Sequence, residues 1–169
     1  ACGLTPNTTF EYTDATHPMR VSGLINARGF RTDTTYTAFG QIATKTEAVG
    51  SPEQRLTTWT YDAVFPGLVT QVEQPSTTAG QFRRTQMAYN ATTSVLNTRT
   101  ITGRESGAAF THATAMTYNG SGKPLTIDPP GYAATDVTGF TYAVPNRNEM
   151  LADTRTDPLI GTTTFGYDG

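Results

Sequence analysis

The chain of 169 residues is long enough for one ordinary domain, and its 12 basic against 14 acidic side chains give no electrostatic case for nucleic acid or an anionic membrane surface. Leu, Ile, Val and Phe supply only 29 residues, whereas Thr alone supplies 35; Gly and Pro, 26 together, are spread along the whole length. That balance leaves little room for helices and favours strands, because Thr and Tyr suit a pleated, half-buried surface. No apolar run approaches the ~20 residues that cross a bilayer. No basic-then-apolar leader is present, so the chain is expected to start after processing or in mid-protein.

In chain order, the first feature is Cys2, the single cysteine, which excludes an internal disulfide. Ala1-Cys2-Gly3 hints at a lipid-modified N-terminal cysteine, against the plainer reading of a lone Cys in a loop. A strand pattern then ends on Tyr12 and returns at Tyr36, Tyr61, Tyr89, Tyr118, Tyr142 and Tyr167, separated by 24, 25, 28, 29, 24 and 25 residues. Four residues before each Tyr stands a threonine: Thr8, Thr32, Thr57, Thr85, Thr114, Thr138 and Thr163. Two before it stand Phe10, Thr34, Trp59, Met87, Met116, Phe140 and Phe165, and six of these seven are large and apolar. Spacings of two place all three positions on one strand face. Asp62, Asn90, Asn119 and Asp168 follow their tyrosines, residue types that end strands by bonding local backbone.

After each tyrosine comes a turn and a second short run, at 20–25, 41–47, 68–73, 95–101, 124–127 and 150–156. The turns carry Gly40, Pro66-Gly67, Gly120-Ser121-Gly122 and Pro145-Asn146. A second loop returns to the next Tyr strand through Asn26-Ala27-Arg28-Gly29, Asp128-Pro129-Pro130-Gly131 or Asp157-Pro158-Leu159-Ile160-Gly161. Two strands of ~5–6 residues and two connections of ~2–6 fill a period near 25. Residues 1–169 are therefore expected to form a single array of about seven two-strand repeats, all-β and antiparallel, with equivalent strands two apart. Trp59, if buried as a core aromatic, is expected to cost about 3–5 kcal/mol on truncation to Ala.

The Tyr61-Asp62 and Tyr167-Asp168 pairs, and the closing stretch from Thr156-Asp157-Pro158-Leu159 to Phe165-Gly166-Tyr167-Asp168-Gly169, resemble the YD (RHS) repeat family. The chain departs from the pattern where Ile160 separates Leu159 from Gly161, where Thr37 and Ala143 replace the Asp, and in the two longer intervals. The resemblance covers essentially the whole chain. It implies a sheet that curves or spirals into a hollow shell, as in bacterial polymorphic toxins, where the shell sequesters a C-terminal effector; animal teneurins carry a related shell.

Catalytic chemistry finds little support in the residues. His17 precedes Pro18 in a turn-like stretch and His112 opens a Tyr strand; both read as exposed strand-end side chains, and neither has a nucleophile beside it in sequence. Two His and one Cys, far apart, do not make a zinc site. Asp14, Asp33, Glu47, Asp62, Glu73 and Asp136 are too scattered for a calcium loop. Asp128-Pro129-Pro130-Gly131 resembles the motif at which RHS toxins cleave themselves, but Asp157-Pro158 shows the same pair in an ordinary inter-repeat turn, and repeats continue past Gly131. Asn7-Thr8-Thr9, Asn90-Ala91-Thr92 and Asn119-Gly120-Ser121 match the glycosylation sequon, a match that arises readily in a Thr-rich chain.

The residues and the resemblance together predict a structural segment of a secreted or surface-displayed protein, without catalytic, metal or cofactor residues. Its role is to build the wall of a β-shell around a C-terminal effector. The alternatives are an extracellular fibre or adhesin that binds glycans, and the non-catalytic part of a larger toxin enzyme. The expected partners are further repeats or neighbouring copies joined through open sheet edges, an enclosed effector and glycans, with no nucleic acid and no membrane span. As a fragment with unpaired edges, the piece is expected to assemble or aggregate in isolation.

Overall fold

The computed structural model describes residues 7–131, 136–142 and 151–167. Within them lie thirteen strands and no helix: β1 (Thr9–Glu11), β2 (Gly23–Ile25), β3 (Arg31–Tyr36), β4 (Ile42–Glu47), β5 (Arg55–Tyr61), β6 (Val69–Pro75), β7 (Phe82–Tyr89), β8 (Leu96–Glu105), β9 (Ala108–Tyr118), β10 (Pro124–Asp128), β11 (Thr138–Thr141), β12 (Thr154–Asp157) and β13 (Gly161–Thr164). They form one antiparallel sheet in strict chain order, each strand hydrogen-bonded to its sequence neighbours, with β1 and β13 outermost. The backbone divides into two compact units, residues 1–85 with 103–109, and 86–102 with 110–169.

The seven phased tyrosines end, or closely follow, the odd-numbered strands, so one strand separates each from the next, as the repeat predicts. The predicted second runs are the even strands. Three departures stand out. Arg20, Val21 and Ser22 precede β2; β8 runs on to Glu105; and Ala152 and Asp153 precede β12. The turn expected at Pro145-Asn146 and the start of the run at Met150 lie outside the described residues, as do Cys2 and Asp168.

Alternation along the Tyr strands is visible in their burial. In β9, Thr114, Met116 and Tyr118 are half-buried while Ala113, Ala115 and Thr117 are exposed; in β7, Thr85, Met87 and Tyr89 are half-buried between exposed neighbours. The sheet has a kink at Tyr36, Tyr61 and Tyr118. Thr35 opposes Thr44 but Tyr36 opposes Ile42, which leaves Ala43 unpaired. Thr60 and Tyr61 likewise oppose Gln71 and Val69 across Thr70, and Thr117 and Tyr118 oppose Thr126 and Pro124 across Leu125. One residue of the following strand is bulged at the same phase each time, and such bulges bend and twist the strand they interrupt.

The residue after Tyr61, Tyr89 and Tyr118 closes the turn by side-chain capping. Oδ1 of Asp62 accepts the amides of Val64 and Phe65 (both 2.8 Å), Asn90 those of Thr92 and Thr93, and Asn119 those of Ser121 and Lys123. Thr37, which breaks the Tyr-Asp pattern, does the same work with its hydroxyl, accepting the amides of Phe39 and Gln41 at 3.3 Å. The extra residues of the 29-residue interval enter neither turn. They lengthen β8 and β9 to 10 and 11 residues around a two-residue turn, Ser106-Gly107, whose φ angles of 50° and 83° are those of the tight hairpin turn favoured by strand twist.

Among the described residues no hydrophobic side chain is fully buried, and the buried polar residue is Thr57, 6% exposed. Thr57 lies opposite Lys45, which is opposite Thr34, so it is screened by neighbouring strands of its own sheet. Trp59, expected in a core, is half-buried and faces Val72 across β5 and β6. The reason is architectural: within the sheet a side chain has neighbours beside it, and full burial needs a second layer on top. Trp59→Ala should therefore cost roughly 1–2 kcal/mol in chemical denaturation, below the 3–5 of a core aromatic. A loss in the higher range would mean that the face carrying Trp59 is covered in solution.

Candidate functional site

Of the residues weighed for chemistry, only Asp14, His17 and Asp33 come together among the described residues; the others lie apart. His112 lies within β9, exposed itself but on the face shared by Thr114, Met116 and Tyr118, with its ring 4.9 Å from that of Phe110; it does not open the strand. Asp128 and Asp157 end β10 and β12, equivalent positions two strands apart. Asp157 Oδ1 accepts the Leu159 amide, its Oδ2 accepts Arg155 Nη2 at 3.1 Å, and its carbonyl accepts the Ile160 amide, a turn-forming set of bonds. Glu47 pairs with Lys45, Glu73 with Arg84, and Asp62 caps its turn. No group of three His, Cys, Asp or Glu side chains is placed to hold a metal ion among the described residues.

His17 is where the structure differs most from the sequence reading. Its side chain is 15% exposed, because the 13–22 turn folds it against the end of β3. Its Nδ1 lies 3.1 Å from Asp14 Oδ2 and its ring centroid 5.8 Å from that of Tyr36. Asp14 as a carboxylate only accepts, so Nδ1 carries the proton. Asp14 Oδ1 also accepts the amides of Thr16 and His17. Arg20 completes the group, with its guanidinium carbon 5.4 Å from the Tyr36 ring centroid. Gly40, at φ 77°, makes room for it: a Cβ there would stand 3.0 Å from Arg20 Nε.

Beside this turn, β1, β2 and β3 carry an ionic bridge. Arg31 donates through Nη1 and Nη2 to both oxygens of Glu11 (3.1 and 2.8 Å) and through Nε to Asp33 (2.7 Å). Glu11, Gly23 and Asp33 are directly opposite one another across the three strands, and a Cβ on Gly23 would come within 2.6 Å of Glu11 Oε2. Gly23 is thus the gap over which the ion pair spans β2. A recess of about 320 Å³ opens here, lined by Thr13, Asp14, Ser22, Arg31, Asp33 and Tyr36 among others. Its polar groups are engaged with one another: Thr13 Oγ1 with Ser22 Oγ at 2.8 Å, Ser22 Oγ with the Glu11 carbonyl, and Tyr36 Oη with the Val21 carbonyl.

The electrostatics follow the same pairing. The His17 hydrogen bond holds the Asp14 carboxyl below its ordinary range, and the bond to Glu11 raises the Arg31 guanidinium further. Such groups brace a turn and three strands; the arrangement holds a carboxylate–imidazole pair, and among the described residues no hydroxyl or thiol is in a hydrogen bond with the imidazole. Sequence reasoning missed this cluster because Glu11, Asp14, His17, Arg31 and Asp33 are brought together by strand register, and Gly23 was its one legible sign. A scan against protein-family models finds no match to this chain, and a search of curated proteins finds none either.

Because Asp14 is depressed in the folded state, its contribution to stability is complete above the ordinary carboxylate pKa and is lost as pH falls through the lower folded value. An NMR titration should place the Asp14 midpoint below the usual ~3.9 and His17→Ala should move it upward. An unchanged midpoint in the variant would remove His17 as the cause.

Proposed function

We propose that this chain is a structural segment of a YD/RHS-type repeat protein, secreted or displayed at the cell surface, whose sheet forms part of a wall that encloses or presents an effector. The observation that carries the reading is the repetition of one device. Tyr36, Tyr61, Tyr118 and Tyr167 each donate their hydroxyl to a carbonyl near the start of the preceding strand, Val21, Ile42, Leu96 and Ala152, at 2.6–2.8 Å. A feature repeated in several periods builds area, whereas catalysis gathers unlike groups in one place. The Thr-rich rows Thr35–Thr44–Thr58 and Thr141–Thr154–Thr164 repeat cross-strand neighbours in the same spirit. In this role the segment contributes shape, and the chemistry belongs to the cargo.

Electron microscopy of the longest natural polypeptide containing this array tests the proposal. A hollow closed body with protected internal density is the expected outcome. An extended fibre without enclosed density would replace the shell with the adhesin reading, and density for a compact single-layer domain alone would reject both.

A further inference from the structure

Asparagine caps three turns of the sheet in one geometry. Asn26 Oδ1 accepts the amides of Arg28 and Phe30, Asn90 Oδ1 those of Thr92 and Thr93, and Asn119 Oδ1 those of Ser121 and Lys123, all at 2.9–3.1 Å. The residue that follows differs: it is Ala27, Ala91 and Gly120 in turn. Asn119 is the one asparagine of the chain followed by glycine.

That difference bears on the reactivity of the side chain. Two N–H donors on Oδ1 draw electron density from the carboxamide carbon and favour attack on it. The bond to the Ser121 amide folds the side chain back over Gly120, whose nitrogen is the main-chain nucleophile nearest in sequence. Among the described residues the Gly120 amide donates no hydrogen bond, Gly120 is exposed, and a Cβ built on it would meet nothing within 4 Å beyond its chain neighbours. At Asn26 and Asn90 the methyl of the following alanine crowds the approach.

We propose that Asn119 is a site of spontaneous deamidation, with water as the co-reactant, in a turn where Asn26 and Asn90 mark the unreactive form of the same cap. Solvent base removes the Gly120 N–H proton, the nitrogen bonds to Cγ of Asn119, and the Cγ–Nδ2 bond breaks to release ammonia. Water then opens the cyclic imide at either carbonyl, giving aspartate or, with the chain rerouted through the side-chain carbon, isoaspartate. The fold accommodates the two products unequally. Aspartate keeps an acceptor oxygen at the cap and reproduces the pair at Tyr61-Asp62, where Asp62 Oδ1 holds two amides at 2.8 Å. Isoaspartate adds a methylene to the main chain and displaces the bonds that close the turn, from the Asn119 amide to the Lys123 carbonyl and from the Gly122 amide to the Asn119 carbonyl. The inference stands apart from the repeat-protein reading.

Incubating the purified protein at mildly alkaline pH, with peptide mapping that separates aspartate from isoaspartate, tests the assignment. Conversion at Asn119 should run well ahead of Asn26 and Asn90. Gly120 lies outside the left-handed region, so Gly120→Ala should fold and should bring the rate at Asn119 down to that at Asn90. Asn119→Asp, which is the α-linked product, should melt no lower than the parent. Equal rates at the three asparagines, an undiminished rate in folded Gly120→Ala, or slower conversion in the native protein than in denaturant would overturn the proposal. A lower melting temperature for Asn119→Asp would overturn the equivalence of the product with Asp62.

Discussion

The bond from a tyrosine hydroxyl to the carbonyl of the preceding strand organises this molecule. A sheet in which no hydrophobic side chain of the described residues is fully buried draws little from the burial that stabilises most domains. What remains is the main-chain ladder, cross-strand side-chain pairs and these hydroxyl bonds, each worth about 1 kcal/mol or less. Tyr61 illustrates the fit between environment and role. Burial pushes its phenol above the ordinary value, in the direction that favours the protonated form, which donates to the Ile42 carbonyl.

Around that bond, the other local features fall into place. The bulge opposite Tyr36, Tyr61 and Tyr118 lies on the strand that follows, and in β4 the bulged Ala43 opposite Tyr36 stands next to Ile42, whose carbonyl accepts the Tyr61 hydroxyl. The next residue, Asp62, Asn90, Asn119 or Thr37, caps the turn that begins there. Near β1 charged groups add to this: Glu11, Arg31 and Asp33 tie three strands across Gly23, and Asp14 with His17 stiffens the turn after Tyr12. These groups strengthen the side of the sheet that has the fewest neighbours.

Much of this was legible in the sequence. The Tyr phase fixed the odd strands, the Gly- and Pro-bearing turns separated them, and the Asp or Asn after Tyr marked the caps. What stayed hidden depended on register. Thr37 looked like a departure from the pattern, because its equivalence to Asp lies in the position of one oxygen atom. The long interval before Tyr118 was legible only as a departure in length; its residues extend a hairpin around Ser106-Gly107. Trp59 looked like a core residue because composition cannot say whether a strand face is covered. His17 looked exposed because its neighbours, Asp14 and Tyr36, meet it only through the fold of the turn.

The most direct measurement is a Tyr→Phe series read by chemical denaturation, since Phe keeps the ring and removes only the hydroxyl. Tyr36→Phe, Tyr61→Phe and Tyr118→Phe should each lower stability by about 1 kcal/mol, and Tyr12→Phe, whose hydroxyl has no hydrogen bond among the described residues, should leave it unchanged. Equal effects at all four positions, or no effect at the first three, would contradict the account.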